Sequence, residues 1–182
     1  AVAERVVEPV YAAPDPSVAR LQLEKMRTSL ATISGIKENL FYSQEKKLTD
    51  LLAIESLALS ADSGNTLLAL SDDRWDLVRN EASTVLEVVM RNQIRSEGLD
   101  AVRSGLPSRV SLTLSESEVN LVVNLVSPHV VANSFYSPEL TEAARVLART
   151  SVQPVLVSYR QGEMVVSSGQ VITPTISEAL VA

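Results

Sequence analysis

The 182-residue chain contains no cysteine, and histidine occurs only once, as His129. The lack of cysteine excludes disulfide bonds, thiolate nucleophiles and cysteine-based metal sites, although it does not fix the compartment. A single histidine also excludes a metal site built from several histidines of one chain. We expect His129, which follows Pro128 near a helix end, to be a capping or partly buried structural residue. The alternative is a pH-sensing or ligand-binding role.

Clustered positive charge and long apolar runs are lacking as well. The formal net charge is -6 and no lysine and arginine stripe is present, which argues against binding to nucleic acid or anionic lipid headgroups. No stretch approaches the roughly 18 uninterrupted apolar residues of a membrane span, and no signal peptide is recognisable. Hydrophobic residues make up 46% and aromatic residues 4% of the chain. We therefore expect one domain, residues 1–182, with a core of Val, Leu, Ile and Ala.

Helix starts are the clearest local signals. Each has a side chain that caps helix N-termini, followed by apolar residues spaced three and four apart. Two of them place proline at the first helical position, and one forms a capping box with Glu118. The predicted capping residues are Asp15, Ser43, Ser71, Ser115 and Ser137.

Helix ends and loops are predicted from glycine and from polar clusters. The first helix should stop at Gly35, and the one that begins after Ser71 should run to about Ser96 with Gly98 ending it. Residues 61–65 are predicted to form a loop, and residues 99–107 a short helix and a turn.

β-structure is predicted at the two ends of the chain. Residues 5–11, which contain Pro9, are predicted to be an edge strand or a strand end. Residues 152–159 and 163–167 are predicted to form a hairpin, with a short third strand at 171–172. A final helix is predicted to begin after Thr173. The expected fold class is α+β: a mostly helical bundle over about residues 16–150, with a small sheet formed by the N-terminal strand and the C-terminal β-hairpin within 152–173.

Two segments of the chain echo each other. Residues 7–11 precede Asp15-Pro16 and a helix, and residues 133–136 precede Ser137-Pro138 and a helix. Residues 152–155 repeat the Val-x-Pro-Val pattern of residues 7–10. We infer that the N-terminal strand pairs with the C-terminal β-unit; the alternative is that this pattern is simply common where strands begin.

No catalytic constellation, metal-ligand set or cofactor motif is recognisable. Acidic pairs at 72–73 and at 116 and 118 fall in first helical turns, where the helix dipole favours them. Gly162 and Gly169 lack the spacing and the lysine of a phosphate-binding loop and are predicted turn residues. Ligand binding is predicted where aromatic and cationic groups converge near the hairpin, although the arginines can instead pair with nearby glutamates. The candidate residues are Tyr136, Arg145, Tyr159 and Arg160.

The order and spacing of several segments resemble a known family. They are residues 7–11, 133–145, 152–155 and 162–173. The chain is similar there to the extracellular domain of bacterial seven-transmembrane receptors that carry a cytoplasmic HD-type hydrolase. The middle of the chain, about 35–127, matches mainly in helical pattern.

The resemblance implies an extracytoplasmic input domain of a membrane-bound cyclic di-AMP phosphodiesterase. It implies that both termini face the membrane and that the chain is itself catalytically silent, since no His-Asp dipeptide occurs in it. The implied partners are an unidentified small-molecule or envelope ligand, the receptor's own transmembrane helices and its cytoplasmic HD domain. The alternative is a protein-interaction or dimerisation module of the cell envelope, and a homodimer is left open.

Overall fold

The computed structural model of the protein describes residues 7–57, 59–151, 166–172 and 176–177. The chain divides into two compact units, one of residues 8–144 (the helical unit) and one of residues 1–7 and 145–182 (the terminal unit). The α-helices of the described residues are α1 (Pro16–Glu38), α2 (Gln44–Leu52), α3 (Ala61–Ala69), α4 (Asp72–Arg91), α5 (Leu99–Ser104), α6 (Glu116–Val126) and α7 (Pro138–Thr150).

Short 3-10 turns join some of these helices. They are Ser96–Gly98, Pro107–Arg109 and Ser127–His129. None of the helices in the described ranges is both long and apolar enough to cross a bilayer.

The helical unit is organised around α4. This helix packs against α1 on one side and α6 on the other, while α3 contacts α2 and α6. The core is aliphatic, as the scarcity of aromatic residues predicts, and Trp75 adds one large ring whose indole Nε1 donates to Ser34 Oγ at 2.9 Å. The largest fully buried side chains are Met26, Ile33, Leu51, Leu67, Leu86, Met90, Ile94, Leu106, Leu121 and Leu125.

The predicted helix starts are confirmed. The side chain of Asp15 accepts a hydrogen bond from Ser17 N–H at 2.8 Å, and Ser43 and Ser71 cap α2 and α4 in the same way. The capping box at Ser115 and Glu118 is present, so the valine-rich α6 is a helix rather than a strand.

Three predicted helix boundaries are wrong, and at two of them glycine lies inside a helix where the sequence predicted a stop or a loop. α1 continues through Gly35 to Glu38, where Lys37 Nζ donates to Leu70 O at 2.7 Å and tertiary contact holds the last turn. Residues 61–65 are not a loop but the start of α3. Gly64 packs closely there: a Cβ at this position would lie 2.7 Å from Leu48 Cδ1, so the Leu48 side chain would have to shift.

The predicted fold class is wrong in its β-part. Within the described residues the structure contains helices and irregular segments but no strand. Residues 7–10 are irregular, and Tyr11 forms only an isolated bridge, with Tyr136. Residues 171–172 are irregular rather than a strand. The hairpin predicted at 152–159 and 163–167 lies almost entirely outside the described residues. The N-terminal segment therefore pairs with the segment that precedes α7. This second segment lies close by because its Asn133 side chain is hydrogen-bonded to the end of α4.

The terminal unit confirms one predicted turn. Gly169 has a φ of 87°, which favours glycine, and Gln170 N–H donates to Ser167 O at 3.0 Å. Ile176 and Ser177 are helical, and the rest of the helix predicted after Thr173 lies outside the described residues.

The end of α4 is set by Asn133, which is fully buried. Its Oδ1 accepts from Ile94 N–H at 2.8 Å, and its Nδ2 donates to Met90 O at 2.9 Å and to Asn92 O at 3.0 Å. Met90 O and Ile94 N–H stand four residues apart, the spacing of a bond in a continuing helix. The carboxamide of Asn133 thus replaces that bond, and α4 ends at Arg91 instead of running to Ser96.

Replacing Asn133 tests this arrangement. We expect Asn133→Ala to lower the free energy of unfolding by about 2–4 kcal/mol, because buried main-chain groups lose their partners. Asn133→Asp should cost at least as much, since a carboxylate cannot donate to the two carbonyl oxygens. Urea unfolding followed by circular dichroism measures both variants.

Asn92→Ala is the matched control, because Asn92 is exposed and its side chain makes a single bond, to Val88 O at 2.9 Å. If Asn133→Ala lowers the free energy of unfolding no more than Asn92→Ala does, the carboxamide of Asn133 does not hold the end of α4.

A second polar contact joins α4 to α6. The guanidinium of Arg74 contacts both carboxylate oxygens of Glu118, whose side chain is 4% exposed, while that of Arg74 is 39% exposed. Arg74, together with the Ser115 main chain and hydroxyl, lowers the pKa of Glu118 from 4.5 to about 2, against the opposing effect of burial. The carboxylate therefore stays ionised and holds the two helices together.

Acid should remove the contribution of the Arg74–Glu118 ion pair to stability. Because the pKa of Glu118 is lowered on folding, its stabilising effect is complete above about pH 4.5 and is lost as pH falls towards about 2. We expect Glu118→Gln to lower the free energy of unfolding at pH 7 by about 1–3 kcal/mol, nearer the lower figure because water screens the exposed side of Arg74. The deficit relative to wild type should shrink between pH 4.5 and 2.

Glu116→Gln, an exposed change in the same helical turn, is the control for general charge effects. A wild-type minus Glu118→Gln difference that stays constant with pH would refute the role assigned to the ion pair.

Candidate functional site

The two echoing segments meet in the structure. We call residues 10–12 and 133–137 the tyrosine junction, because Tyr11 and Tyr136 form its antiparallel bridge. Further main-chain bonds extend the pairing on both sides. They run from Ala12 N–H to Phe135 O (2.9 Å), from Ser137 N–H to Val10 O (2.9 Å) and from Asp15 N–H to Asn133 O (2.7 Å).

The tyrosine rings pack edge to face. Their centroids lie 6.3 Å apart at an interplanar angle of 76°, a favoured geometry for aromatic pairs. The guanidinium carbon of Arg95 lies 4.2 Å from the centroid of Tyr11, within the range of a cation–π contact. The junction therefore combines two aromatic rings with one cation.

Uncharged polar groups support the paired main chains. Ser134 Oγ donates to Ala12 O at 2.6 Å, and Gln93 Nε2 donates to Ser134 Oγ at 2.8 Å. On the other side, Val10 N–H donates to Thr141 Oγ1 at 3.0 Å, and Thr141 is buried at the start of α7. These bonds fix the segment that leads into α1 against the segment that leads into α7.

The chemistry of the junction suits recognition. Tyr136 is 50% exposed, so one side of its ring is open to solvent. An exposed tyrosine ring can stack on a planar or sugar group, and the guanidinium of Arg95, which lies on the ring of Tyr11, can pair with an anionic or polar ligand. Across the described part of the chain, no group of three or more His, Cys, Asp or Glu is placed to hold a metal ion.

His129 lies in the core, away from solvent. It is 3% exposed in the 3-10 turn after α6, and that turn packs against α1. Burial lowers its pKa, and the positive charge of Lys25 lowers it further. Its Nε2 has no hydrogen-bond partner among the described residues. Of the two roles considered for it, this position fits the structural one.

The four predicted ligand-binding residues are not all placed. Tyr136 lies in the junction, and Arg145 lies on α7 in the terminal unit. Tyr159 and Arg160 lie outside the described residues. Their convergence around a ligand therefore stays a prediction.

Sequence reasoning missed Tyr11, Gln93, Arg95 and Asn133. The signal for Tyr11 was present, since its segment echoes residues 133–136, but we paired it with the wrong segment. The sequence pattern did not indicate a role for Arg95 or Gln93, because both lie after the end of α4, in a stretch that was predicted to be helical. Their role depends on the early end of that helix.

The chain is similar to known proteins in two respects. Residues 1–182 match the family described as 7TM-HD extracellular. A relative is the cyclic-di-AMP phosphodiesterase PgpH of Listeria monocytogenes serotype 1/2a (strain 10403S), 31% identical over 108 residues. The match covers 59% of this chain and 15% of PgpH, so the chain spans a small part of that relative. No solved structure matches.

The family match extends over the whole chain and confirms the resemblance that the sequence segments indicated. It also agrees with an extracytoplasmic position at a cell membrane. The chain belongs to the family of extracellular domains of seven-transmembrane HD receptors.

Proposed function

We propose that the chain is the sensory input domain of a membrane-bound HD-type phosphodiesterase that hydrolyses cyclic di-AMP. Support comes from the family match and from the name of the relative, a cyclic-di-AMP phosphodiesterase. Hydrolysis would belong to another part of the receptor, because the sequence has no His-Asp dipeptide. The contribution of this chain is to bind a ligand or partner and to change the receptor's activity.

The observation that carries the proposal is the pairing of Tyr11 with Tyr136. It ties the segment leading into α1 to the segment leading into α7, although the two are far apart in sequence. A force or displacement on one segment therefore acts on the other through a few hydrogen bonds and one ring pair. A binding event at such a place can be passed along the chain in both directions.

The mechanism is a shift between two populations. A ligand that packs on the open side of Tyr136 would favour the paired state of the junction, and one that competes for Arg95 would favour a separated state. Either ligand can change the phosphodiesterase activity only if it binds one state of the junction more tightly than the other. The coupling free energy between two sites of a protein is typically about 1–3 kcal/mol. At a saturating ligand concentration, such a coupling would change the turnover of cyclic di-AMP by about 5- to 150-fold.

Tyr136 gives the direct test. In the full receptor, reconstituted in lipid vesicles, we expect Tyr136→Ala to change the rate of cyclic di-AMP hydrolysis at least about fivefold, because the ring pair is lost. Tyr136→Phe should behave like wild type, since it keeps the ring. Phe135→Ala is the matched control: Phe135 is 54% exposed, and neighbours in an extended segment point to opposite faces.

Circular dichroism of the same variants establishes that the domain stays folded. If folded Tyr136→Ala turns over cyclic di-AMP at the wild-type rate, with and without extracts of the cell envelope, the junction does not transmit a signal.

A ligand screen identifies what the junction recognises. We expect a ligand among envelope metabolites and cell-wall fragments to raise the apparent stability of the chain by about 2.7 kcal/mol at a hundred times its dissociation constant. The shift should be lost in Tyr136→Ala and kept in Phe135→Ala. A ligand that stabilises wild type and Tyr136→Ala equally would bind elsewhere and would contradict the assignment of the site.

A further inference from the structure

The single histidine of the chain lies in the segment that leads into the tyrosine junction. His129 ends the 3-10 turn Ser127–His129, and residues 130–132 then run without regular secondary structure to Asn133. We call residues 127–132 the histidine segment. Because the histidine segment is covalently joined to Asn133, a displacement of the segment also moves the residue that holds the junction against the end of α4.

The ring of His129 occupies an apolar place in the core. It is 3% exposed, and its Nε2 has no hydrogen-bond partner among the described residues. The 3-10 turn packs against α1 and α6, and residues 119–126 of α6 carry no charge. A neutral imidazole fills this space without needing a counter-ion, so His129 is a structural residue in its neutral form.

The charged groups that lie beside the histidine segment are cations. Of the cations on α1, Lys25 is the one that lowers the pKa of His129, in addition to the larger effect of burial. On α5, Arg103 donates from Nη2 to Val130 O at 3.0 Å, and its buried Nε has no partner in the described part of the chain. A protonated His129 would therefore add a third positive charge to this region.

No carboxylate of the surrounding helices compensates that charge. Each one is either exposed to solvent or, in the case of Glu118, bound to Arg74. They are Glu24 and Glu38 on α1, Asp100 on α5, and Glu116 and Glu118 on α6. None of them raises the pKa of His129. A proton on Nε2 would thus be buried without an acceptor, which is a costly arrangement.

Acid favours any state in which the ring is hydrated. The pKa of His129 is lowered from 6.5 in the folded chain and returns to about that value once water surrounds the ring. Below about pH 6.5 the open state binds more protons, so the opening equilibrium constant rises as pH falls, by up to about tenfold per pH unit. The chain has one histidine and no cysteine, so no other side chain has its ordinary pKa between about 5 and 7.

The histidine segment can open at a lower free energy than the helices around it. Its main chain is held by the bond from Val130 N–H to Ser127 O, at 3.3 Å, and by the bond from Arg103 to Val130 O. The helices α4 and α6 keep their internal hydrogen bonds when an irregular segment between them moves. Segments of this kind open locally before the whole unit unfolds.

We propose that His129 is a proton-dependent switch: in mild acid its ring takes up a proton and leaves the core with the histidine segment, and the tyrosine junction separates. A domain on the outer side of a membrane meets the acidity of its surroundings directly. The use of this opening as a signal rests on the proposed sensory function, whereas the opening itself does not.

Amide hydrogen exchange of the 182-residue chain at pH 7 and pH 5, corrected for the intrinsic exchange rates, measures the opening. We expect the opening constants at Asn133 and Ser137 to rise at least about fivefold from pH 7 to pH 5. The opening constant at Leu86 in α4 should stay at least about a hundredfold smaller at both pH values, because opening of the segment is local.

Three variants assign the effect to the ring. His129→Phe keeps a planar ring but cannot take up a proton, so its opening constants should change less than about twofold between the two pH values. Lys25→Gln should weaken the response to acid, because it removes a positive charge that disfavours the imidazolium. Arg27→Gln is the matched control, since Arg27 is 72% exposed on a different face of α1 and makes the same change in net charge.

A titration of the wild-type chain by nuclear magnetic resonance needs no variant to fold, and the single histidine makes the ring signals unambiguous. We expect the pKa of His129 to lie below 6.5. A pKa of 6.5 or higher, equal opening constants at pH 5 and pH 7, or an unchanged pH response in folded His129→Phe would overturn the switch.

The full receptor in lipid vesicles separates the switch from its use. Lowering the pH on the outer side from 7 to 5 should change the turnover of cyclic di-AMP in wild type and leave it unchanged in His129→Phe. If the isolated chain opens in acid while the turnover of the receptor does not respond, the switch stands and the proposed sensory function fails.

Discussion

The carboxamide of Asn133 substitutes for a helical hydrogen bond, and the arrangement of the helical unit depends on that substitution. It accepts from Ile94 N–H and donates to Met90 O, so α4 stops and the chain turns away at Asn92. The main chain of the same residue accepts from Asp15 N–H. One buried side chain thus ends the central helix and places the segments that precede α1 and α7 side by side. A polar group at zero exposure is stable there because its donors and acceptors are paired.

The helical unit has two ends with different chemistry. At one end, main-chain pairing, two tyrosine rings and Arg95 bring together segments distant in sequence. At the other end, the turn between α1 and α2 exposes Leu40 and Phe41. The 20-residue helix α4, which Arg74 joins to Glu118 on α6, connects the two ends.

Most helices could be predicted from the sequence because their N-terminal caps are local signals: Asp15, Ser43, Ser71 and Ser115 act within three residues. The ends of the helices could not be predicted in this way, because they depend on contacts with residues far away in the sequence. Gly64 looked like a loop residue, yet it is buried in α3, where a Cβ would displace the Leu48 side chain. The partner of Tyr11 was mistaken for the same reason: Asn133 decides it, and nothing near Asn133 in the sequence shows its buried bonds. Two of the four candidate site residues, Tyr136 and Arg145, can be placed.

The proposed transmission requires that the paired main chains of the tyrosine junction separate while the helices stay folded. Native-state hydrogen exchange at the amides of Ala12 and Ser137, compared with that of Leu86 in α4, tests this requirement most directly. We expect Ala12 and Ser137 to exchange by local opening, at a free energy several kcal/mol below that of Leu86. Exchange of all three amides only on global unfolding, with one opening free energy, would contradict the mechanism, since the junction could then not separate without unfolding the helices.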